Sequence, residues 1–365
     1  MTDEQTLTEL APVRSGEELE WDRLESYLRA TLPELEGEFS VLQFPRGSAN
    51  LTYRVQFGDT HLVVRRPPFG KLAPGAHSME REYRVLSRLH AAYPRAPHAL
   101  LHCADPSVIG AEFFVNEYRS GTVVWDSVPD SMACLPDVGR RLGLAVVDAL
   151  ADLHEVDADE VGLSDLGRPE GYLERQLTGW QKRWAAVEAQ CSDGETIRVV
   201  REVATRLIGR VPRSQRSGIV HNDYKVDNCQ FAPGDPDRVT SVFDWDMATL
   251  GDTLVDLGTL LNYWPDTTVD QSSDDAFIVV PGMHALGLPS RREVVERYAT
   301  NSSHDLSDIA WYEAFGCWKT VVILQQLYAR YVRSETADER MRERGDDVAP
   351  LARRALGLLS GSGGI

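Results

Sequence analysis

The chain has 365 residues and a formal net charge of −18, with 42% hydrophobic and 26% charged residues. This balance argues against a disordered chain, and the length is sufficient for one large domain or two or three smaller ones. The acidic surplus argues against nucleic acid as a partner, because a negatively charged surface repels the phosphate backbone.

The sequence gives no indication of a membrane-bound or disulfide-bonded protein. No apolar run is long enough to cross a membrane, and residues 1–10 lack the basic start and apolar stretch of a signal peptide. The five cysteines are odd in number, scattered, and nowhere in CxxC spacing. We therefore expect a cytoplasmic protein with reduced thiols, no membrane partner, no disulfide framework and no zinc site.

Short β-prone runs dominate the first part of the chain. Residues 15–18 have the pattern of a capping box, which predicts that an amphipathic helix begins there. Beyond it, the apolar periodicity predicts three strands, a helix and a further strand, at residues 40–44, 51–57, 61–64, 78–90 and 111–118. Residues 1–117 are therefore predicted to form a small, β-rich N-terminal lobe.

Helical spacing dominates the rest of the chain. Residues 137–153 carry a broad apolar face, which predicts a buried helix. Two short strands are predicted at 229–232 and 240–243, and further helices at 170–190, 193–208, 252–263, 290–300 and 306–333. The sequence thus predicts an α+β chain, with a larger helical lobe at 118–358 and a flexible tail at 359–365.

One segment, residues 221–228, carries chemistry-bearing residues at close spacing in the pattern H-x-D-x-K-x-x-N. The two short strands follow it, and residues 233–237 supply the turn between them. Because the outer ends of a hairpin lie together, Asn228 before the first strand and Asp244 after the second are expected to meet. Asp223 lies five residues ahead of Asn228, in the loop that leads into the hairpin.

This arrangement suits phosphoryl transfer. The carboxylate of Asp244 and the amide of Asn228 are the hard oxygen ligands that hold Mg²⁺ on the phosphates of a nucleotide. A second carboxylate, Asp223, is placed to orient an attacking hydroxyl and accept its proton. Lys225 is placed to reach the γ-phosphate and balance its developing charge. Each feature alone also fits a polar surface loop, but their combination favours the catalytic interpretation.

The segment resembles the catalytic core of the aminoglycoside phosphotransferase and choline kinase-like family. The resemblance covers roughly residues 38–330. Within it, residues 168–184, 221–228 and 244–252 look most similar to the kinase-like domains fused to some acyl-CoA dehydrogenases. The resemblance implies a bilobal protein-kinase-like fold, with a small β-rich and a larger helical lobe, and Mg²⁺ with ATP, or GTP, as cofactors.

The resemblance also implies the roles of individual residues. The residue that matches Asp223 is the catalytic base of the family, and those that match Asn228 and Asp244 bind magnesium. His221 is expected to brace the catalytic loop. Asp252, in the Gly-Asp pair that follows the hairpin, is expected to brace it as well.

In the small lobe the resemblance implies a loop over the phosphates and a hinge that holds the base. The loop between the first two strands would cover the triphosphate with the backbone N–H groups of Gly47, Ser48, Ala49 and Asn50. Taken by itself, this loop is equally compatible with an ordinary hairpin turn. The last strand of the lobe ends at the hinge, where the backbone of Asn116 and Tyr118 is expected to hold adenine.

The sequence departs from the family at the residue that contacts ATP. The resemblance implies a lysine at the end of strand 61–64, and this chain has Arg65 there. Arginine can pair with phosphate through two nitrogens, but it is larger and differently hydrated. We expect Arg65 to contact the phosphates, with Arg66 as the alternative if the register is shifted. Glu82, or else Glu80 in the same helix, is expected to position the arginine.

These observations predict a Mg²⁺- and ATP-dependent transferase that phosphorylates a hydroxyl of a small molecule. The acceptor classes that we consider are aminoglycoside-like, choline-like and hydroxyacyl metabolites. Aromatic residues of the helical lobe are candidate walls of the acceptor pocket: Trp180, Trp184, Tyr263, Trp264, Trp311, Tyr312 and Trp318.

Two other classes of protein were weighed. A catalytically impaired nucleotide-binding or scaffold protein of the same fold is the alternative, because Arg65 replaces the expected lysine. A protein kinase is disfavoured, because Asp244-Trp-Asp replaces Asp-Phe-Gly and no Ala-Pro-Glu segment follows. Gly251-Asp252 follows so soon that no room is left for an activation loop.

Overall fold

The structure is a computed structural model, and it describes residues 10–46, 50–70, 78–265 and 282–361. By their contacts the residues fall into two compact units. The first unit lies within residues 1–123, 159–163 and 228–248, and the second within residues 124–158, 164–227 and 249–365.

Helices and strands alternate irregularly along the described residues. The helices are α1 (Trp21–Thr31), α2 (Met79–Leu89), α3 (Val138–His154), α4 (Tyr172–Ala185), α5 (Gly194–Gly209), α6 (Leu254–Tyr263), α7 (Arg291–Asn301), α8 (Ile309–Val332), α9 (Glu339–Glu343) and α10 (Val348–Leu359). The strands are β1 (Phe39–Gln43), β2 (Leu51–Phe57), β3 (Thr60–Arg66), β4 (Ala99–Cys103), β5 (Phe113–Glu117), β6 (Thr122–Val123), β7 (Ser217–Val220), β8 (Cys229–Ala232), β9 (Asp235–Val242) and β10 (Thr249–Asp252).

The first unit is built on a five-stranded antiparallel sheet with the order β1-β2-β3-β5-β4. Strand β2 alternates fully and partly buried side chains along its whole length, as a strand does when one face is covered. The inward residues of the sheet and the apolar face of α1 share one core, which includes Leu24, Leu28, Val55, Val64 and Val115. Arg65 follows Val64 in β3, so its side chain lies on the opposite face of the sheet.

The hairpin of β8 and β9 belongs to the first unit, whereas the sequence placed it in the lobe 118–358. Strand β8 pairs with β6, which follows the five-stranded sheet in the chain. The backbone N–H of Val242 donates to the carbonyl of Arg95 at 2.8 Å, and Arg119 donates to the carbonyl of Thr240 at 3.0 Å. These bonds attach the hairpin to the unit that contains the sheet.

Helix α1 begins later than the sequence predicts, and the prediction of a capping box at residues 15–18 is wrong. The helix starts at Trp21, and Gly16 has a φ of +86°. The hydroxyl of Tyr53 donates to the carbonyl of Glu17 at 2.6 Å, and Arg14 pairs with the Glu17 carboxylate at 2.7 Å. The side chain and the carbonyl of Glu17 are therefore bound to groups outside α1, and its backbone N–H donates to the carbonyl of Arg14 at 3.0 Å in a turn.

In the described residues of the second unit, the paired strands β7 and β10 are the β-structure, and helices make up the other regular elements. Helices α6 and α8 cross in it at very close range. A Cβ on Gly258 would lie 2.3 Å from the carbonyl oxygen of Tyr312, so only glycine fits there. A Cβ on Gly316 of α8 would lie 2.8 Å from the carbonyl oxygen of Gly258. The two glycines therefore set the separation of α6 and α8.

The C-terminal part of the chain is more helical than predicted. Helices α9 and α10 were not expected, and the predicted flexible tail 359–365 begins with the last residue of α10. Residues 362–365 of that tail lie outside the described part of the chain. None of the helices within the described ranges is both long and apolar enough to cross a membrane.

Helix α7 begins with a capping box whose strength depends on pH. The backbone N–H of Glu293 donates to the Ser290 hydroxyl, and the backbone N–H of Ser290 donates to the Glu293 carboxylate at 2.9 Å. Arg140, which donates to the same carboxylate at 2.8 Å, and then Ser290 lower the pKa of Glu293 to about 2. We expect Glu293→Gln to lower the free energy of unfolding by about 0.5–1 kcal/mol at neutral pH.

The pH dependence of this difference can be checked by urea titration. Because the folded pKa lies below the ordinary value of 4.5, the carboxylate stabilises the fold above that pH and loses this contribution as the pH falls towards 2. The difference between wild type and Glu293→Gln should therefore shrink over this interval. Glu296→Gln, on the exposed face of the same helix, is the matched control, and a pH-independent difference would contradict the assignment.

Candidate functional site

In the first unit, the hairpin of β8 and β9 brings the two predicted metal ligands together. The strands pair in antiparallel register from Cys229 and Val242 onwards. The backbone N–H of Phe243 then donates to the carbonyl of Asn228 at 2.9 Å. Asn228 and Asp244 therefore lie side by side at the open end of the hairpin.

Asp244 has an unusual backbone conformation. Its φ of +68° and ψ of +59° lie in the left-handed region, which residues other than glycine rarely adopt. Strain of this kind persists where the surrounding structure fixes the residue, and such positions cluster at functional sites. In this conformation the carboxylate of Asp244 forms an ion pair with the guanidinium of Arg65.

Arg65 joins Asp244 to Glu82 of helix α2. The Nε of Arg65 lies 3.1 Å from the carboxylate of Glu82, while Nη2 contacts Asp244. Glu82 also accepts a hydrogen bond from the backbone of Trp245. The side chain of Glu82 is only 2% exposed, whereas Glu80 is exposed to solvent. Of the two glutamates considered, Glu82 is the one that faces the arginine.

Arg66 points to the other face of the sheet. Its guanidinium donates to the carbonyl oxygens of Pro67 and Ile109, each at 2.9 Å, and packs on the ring of Phe69 at 4.2 Å. Neighbouring side chains of a strand point in opposite directions, so a register shift of one residue would exchange Arg65 and Arg66. The observed register favours Arg65 as the phosphate contact.

Arg65 and the acidic side chains around it shift one another's pKa. Burial raises the pKa of Glu82, Arg65 opposes this effect, and Asp244 and Asp246 raise the pKa further. Burial lowers the pKa of Arg65, but Glu82, Asp244 and Asp246 outweigh it and raise that pKa, so the guanidinium stays charged. Arg65 therefore keeps its positive charge beside three acidic side chains, those of Glu82, Asp244 and Asp246.

The donor set at the hairpin fits Mg²⁺. Asn228 and Asp244 bring an amide and a carboxylate together, and both offer the hard oxygen atoms that Mg²⁺ prefers. Across the residues that the structure describes, no group of three or more His, Cys, Asp or Glu could hold a metal ion. Asn228 and Asp244 would therefore need water or phosphate oxygens to complete the coordination.

Of the residues predicted to contact the nucleotide elsewhere, the three that the structure describes lie in or beside strands of the sheet. The loop residues Gly47, Ser48 and Ala49 fall outside the described part of the chain. Asn50 is 4% exposed, and neither atom of its side-chain amide has a hydrogen-bond partner within the described ranges. Asn116 lies in β5 opposite Val63, with its Oδ1 similarly buried, and Tyr118 follows the end of that strand. Buried amide atoms are thus present beside both the predicted loop and the predicted hinge.

In the second unit, the predicted catalytic loop follows strand β7. The backbone N–H groups of His221 and Asn222 donate to the two carboxylate oxygens of Asp256, at 2.6 Å and 2.7 Å. The N–H of Asp223 donates to Nδ1 of His221 at 3.3 Å. His221 therefore holds the backbone of Asp223, which is the kind of bracing contact expected of it.

The residue that braces the loop from outside is Asp256, which the sequence did not single out. Asp256 is fully buried in α6, and Nε2 of His154 lies 3.4 Å from its carboxylate. Asp252, expected to play this part, accepts instead from the hydroxyl of Tyr312 at 2.8 Å and from the N–H of Leu254 at 3.1 Å. Asp252 closes strand β10, before α6 begins, and in this structure the bracing role falls to the aspartate one helical turn later.

Two carboxylates and a lysine form a cluster in the same loop. The Nζ of Lys225 lies 3.3 Å from Asp223, 3.6 Å from Asp227 and 5.5 Å from the ring centre of Tyr263. Burial lowers the pKa of Lys225, but Asp223 and Asp227 outweigh it and raise that pKa. The side chain of Asp223 is 24% exposed, so its carboxylate is accessible to a reacting group. Asp227 was not expected in this cluster, and burial raises its pKa.

Most aromatic residues proposed as walls of an acceptor pocket belong to the core of the second unit. Six of them are at most 5% exposed: Trp180, Trp184, Trp264, Trp311, Tyr312 and Trp318. Tyr263 is only partly buried, and it contacts Lys225 of the catalytic loop. Aromatic residues at helical spacing therefore mark packing in this unit, with Tyr263 as the exception.

Comparison with known proteins identifies the family of the chain. Residues 40–287, more than half of the sequence, match the model of the phosphotransferase enzyme family. The chain belongs to this family. The resemblance inferred from the motif at 221–228 is thereby confirmed, and the family supports a small-molecule phosphotransferase.

Relatives and solved structures agree with this assignment. The chain is 32% identical over 358 residues to acyl-CoA dehydrogenase family member 11 of Gallus gallus, a match that covers 95% of this chain and 44% of that protein. The chain therefore spans less than half the length of this relative. A solved structure from Ralstonia eutropha JMP134, assigned as an aminoglycoside phosphotransferase, shares 27% identity and a TM-score of 0.77, over 94% of this chain and 99% of that one.

A thermostable mutant of the aminoglycoside phosphotransferase APH(4)-Ia, in a ternary complex with ADP and hygromycin B, has a TM-score of 0.58 at 15% identity. That alignment covers 94% of this chain and 99% of the other, and it shows likeness of fold. The structural matches confirm the predicted class: this member of the phosphotransferase family has a mixed α+β, protein-kinase-like fold.

Proposed function

We propose that this member of the phosphotransferase family is an ATP- and Mg²⁺-dependent kinase that transfers the γ-phosphoryl group to a hydroxyl of a small molecule. The observation that carries the proposal is the loop 221–228, in which Asp223 is held by a backbone bond to His221 and paired with Lys225. A group that must meet a reacting hydroxyl needs a fixed position of this kind.

In the proposed reaction, Asp223 orients the acceptor hydroxyl and takes its proton on a carboxylate oxygen as the phosphoryl group is transferred in line. Lys225 keeps its charge, because Asp223 and Asp227 raise its pKa, and it would balance the negative charge of the transferred group. Asp223 has room for this role, since about a quarter of its side chain is exposed while Lys225 shields one of its oxygens.

Nucleotide binding is assigned to residues of the first unit. Arg65 would contact the phosphates, with Glu82 holding the guanidinium in place, and Asn228 and Asp244 would hold Mg²⁺. When bound, Mg²⁺ would neutralise charge on the β- and γ-phosphates. Membership of the phosphotransferase enzyme family supports a nucleotide as the donor. The loop 47–50 and the hinge residues Asn116 and Tyr118 remain proposed contacts for the phosphates and the base.

For the acceptor, we favour a hydroxyacyl metabolite over an aminoglycoside-like or choline-like compound. The relative with 32% identity belongs to an acyl-CoA dehydrogenase family, whereas the structure with hygromycin B supports the fold alone. We further propose that the protein acts in the cytoplasm on a soluble substrate, without nucleic acid or membrane as a partner.

The proposal can be tested by measuring nucleotide turnover on a panel of acceptors. Purified protein with Mg·ATP or Mg·GTP would be assayed for nucleoside diphosphate release with hydroxy acids, hydroxyacyl-CoA thioesters, aminoglycosides and choline. We expect diphosphate release to match the phosphorylated acceptor found by mass spectrometry. A thermal shift by Mg·ATP without any turnover would favour the scaffold alternative, and the absence of both would contradict nucleotide binding as well.

Restoring the family lysine should weaken nucleotide binding. The single nitrogen of a lysine cannot contact Glu82 and Asp244 at the two positions that the guanidinium of Arg65 reaches. We expect Arg65→Lys to raise the dissociation constant of Mg·ATP about 5- to 20-fold, measured by calorimetry, or about 1–2 kcal/mol. Arg23→Lys on α1 is the matched control, and unchanged affinity in Arg65→Lys would contradict the need for two guanidinium contacts at this position.

A further inference from the structure

Lys319 is a buried lysine that the proposed reaction has not yet used. The chain has only four lysines, and this one lies in α8 with 6% of its surface exposed. Its Nζ donates a hydrogen bond to the backbone carbonyl of Asn222, in the catalytic loop. Burying an ammonium group costs free energy of desolvation unless polar partners compensate for the lost water. The buried position of Lys319 therefore needs a specific explanation.

The partner of Lys319 is the residue directly before Asp223. Asn222 has a φ of +69°, in the left-handed region. Side chains from three helices hold it in this conformation. Its N–H donates to Asp256 of α6 at 2.7 Å, and its side-chain oxygen accepts from the hydroxyl of Tyr172 of α4 at 2.9 Å. Lys319 of α8 donates to the backbone carbonyl of Asn222.

The carbonyl of Asn222 and the N–H of Asp223 belong to the same planar peptide group. Lys319 holds the carbonyl edge of this plane, and Nδ1 of His221 accepts from its N–H edge at 3.3 Å. A peptide plane held at both edges cannot rotate about the chain. Lys319 therefore helps to set the direction in which the side chain of Asp223 points from the backbone.

The surroundings of Lys319 lower its pKa on balance, because the effect of burial outweighs that of the nearby carboxylates. Burial lowers the pKa of Lys319, and the nearby carboxylates of Asp223 and Asp256 oppose this effect. The Nζ also lies 5.9 Å from the ring centre of Trp180 in α4. Lys319 thus sits between the catalytic loop and the helix that carries Trp180.

We propose that Lys319 is a positioning residue, which orients Asp223 by holding the peptide between Asn222 and Asp223. The inference rests on the proposed function, because it assumes that Asp223 is the catalytic base. Lys319 acts through the backbone and takes no part in proton transfer. Its loss should therefore lower the rate of the chemical step and leave substrate affinity largely unchanged.

The test compares Lys319→Met and Lys319→Gln with Lys182→Met, a matched control on the exposed face of α4. We expect Lys319→Met to lower kcat about 30- to 100-fold, while the KM for the acceptor and the affinity for Mg·ATP change less than about twofold. Lys319→Gln keeps a hydrogen-bond donor without the charge, so it should recover part of kcat. It also provides a folded variant if Lys319→Met is unstable.

Hydrogen exchange provides a readout that does not depend on turnover. The amides of residues 221–223 should exchange about tenfold faster in Lys319→Met than in wild type, and at the wild-type rate in Lys182→Met. If the wild type is active and Lys319→Met equals Lys182→Met in kcat or in exchange rate, the inference about Lys319 is wrong, while the proposed function stands. A wild type that transfers no phosphoryl group overturns the proposed function, and the inference falls with it even if exchange changes.

Discussion

Replacing Asp223 with asparagine is expected to lower kcat about 10³-fold or more, while the affinity for Mg·ATP stays within about threefold of wild type. Asparagine has nearly the same shape but cannot take a proton from the acceptor hydroxyl. The substitution also removes one of the two carboxylates that flank Lys225. Lys225 keeps the carboxylate of Asp227, at 3.6 Å, as a partner. The local structure should therefore persist while proton transfer is lost.

Steady-state kinetics on an identified acceptor and calorimetry with Mg·ATP measure the two quantities. Asp59→Asn, in the exposed turn between β2 and β3, is the matched control, because asparagine is equally well accommodated in such a turn. Asp227→Asn tests the neighbouring carboxylate and should have a smaller effect on kcat. If Asp223→Asn retained kcat within tenfold of wild type, Asp223 would not be the base.

Asp256→Asn is expected to lower both stability and turnover. Asp256 accepts one hydrogen bond on each carboxylate oxygen, from the N–H groups of His221 and Asn222. An asparagine has one acceptor oxygen, so one backbone N–H would face the NH₂ group and lose its bond in a fully buried place. We expect a loss of about 2–4 kcal/mol in unfolding free energy and about 10²-fold in kcat.

Asp252→Asn is the matched control for this prediction, because Asp252 is buried four residues earlier and its carboxylate binds Tyr312 and Leu254. Urea titration should show that both variants are destabilised. Hydrogen exchange of the amides at 221 and 222 should speed up in Asp256→Asn and stay unchanged in Asp252→Asn. Equal acceleration in the two variants would return the bracing role to Asp252.

Local pattern was sufficient to predict the longer elements and much of the geometry of the first unit. Strand β2 was predicted with its observed bounds, 51–57, because it alternates buried and partly buried residues over its whole length. The meeting of Asn228 and Asp244 followed from hairpin geometry alone. The sequence pattern predicted Arg65 as the phosphate contact and left Arg66 as the alternative, and in the structure the alternation along β3 separates them, because only Arg65 shares a face with helix α2.

What the sequence did not reveal depends on long-range contacts. Strands β7 and β10 have four residues each and pair with one another across a gap of 28 residues, so neither carries a periodic signal of its own. Asp256 lies in a strongly apolar helix, where a single acidic residue is easily taken for a favourable charge in the first turn. Lys319 lies in a buried helix in the same way, and its partner is 97 residues away in the chain.

The close crossing of α6 and α8 has a consequence for the catalytic loop. Gly258 lies two residues after Asp256, and Gly316 lies three residues before Lys319. Asp256 of α6 and Lys319 of α8 both hold Asn222. The distance between their helices is set by direct backbone contact at the two glycines, where no side chain separates α6 from α8. A larger residue at either glycine would spread Asp256 and Lys319 apart, and Asn222 would lose one of them. Substitution of either glycine would therefore disturb the position of the loop that carries Asp223, in addition to the packing of the two helices.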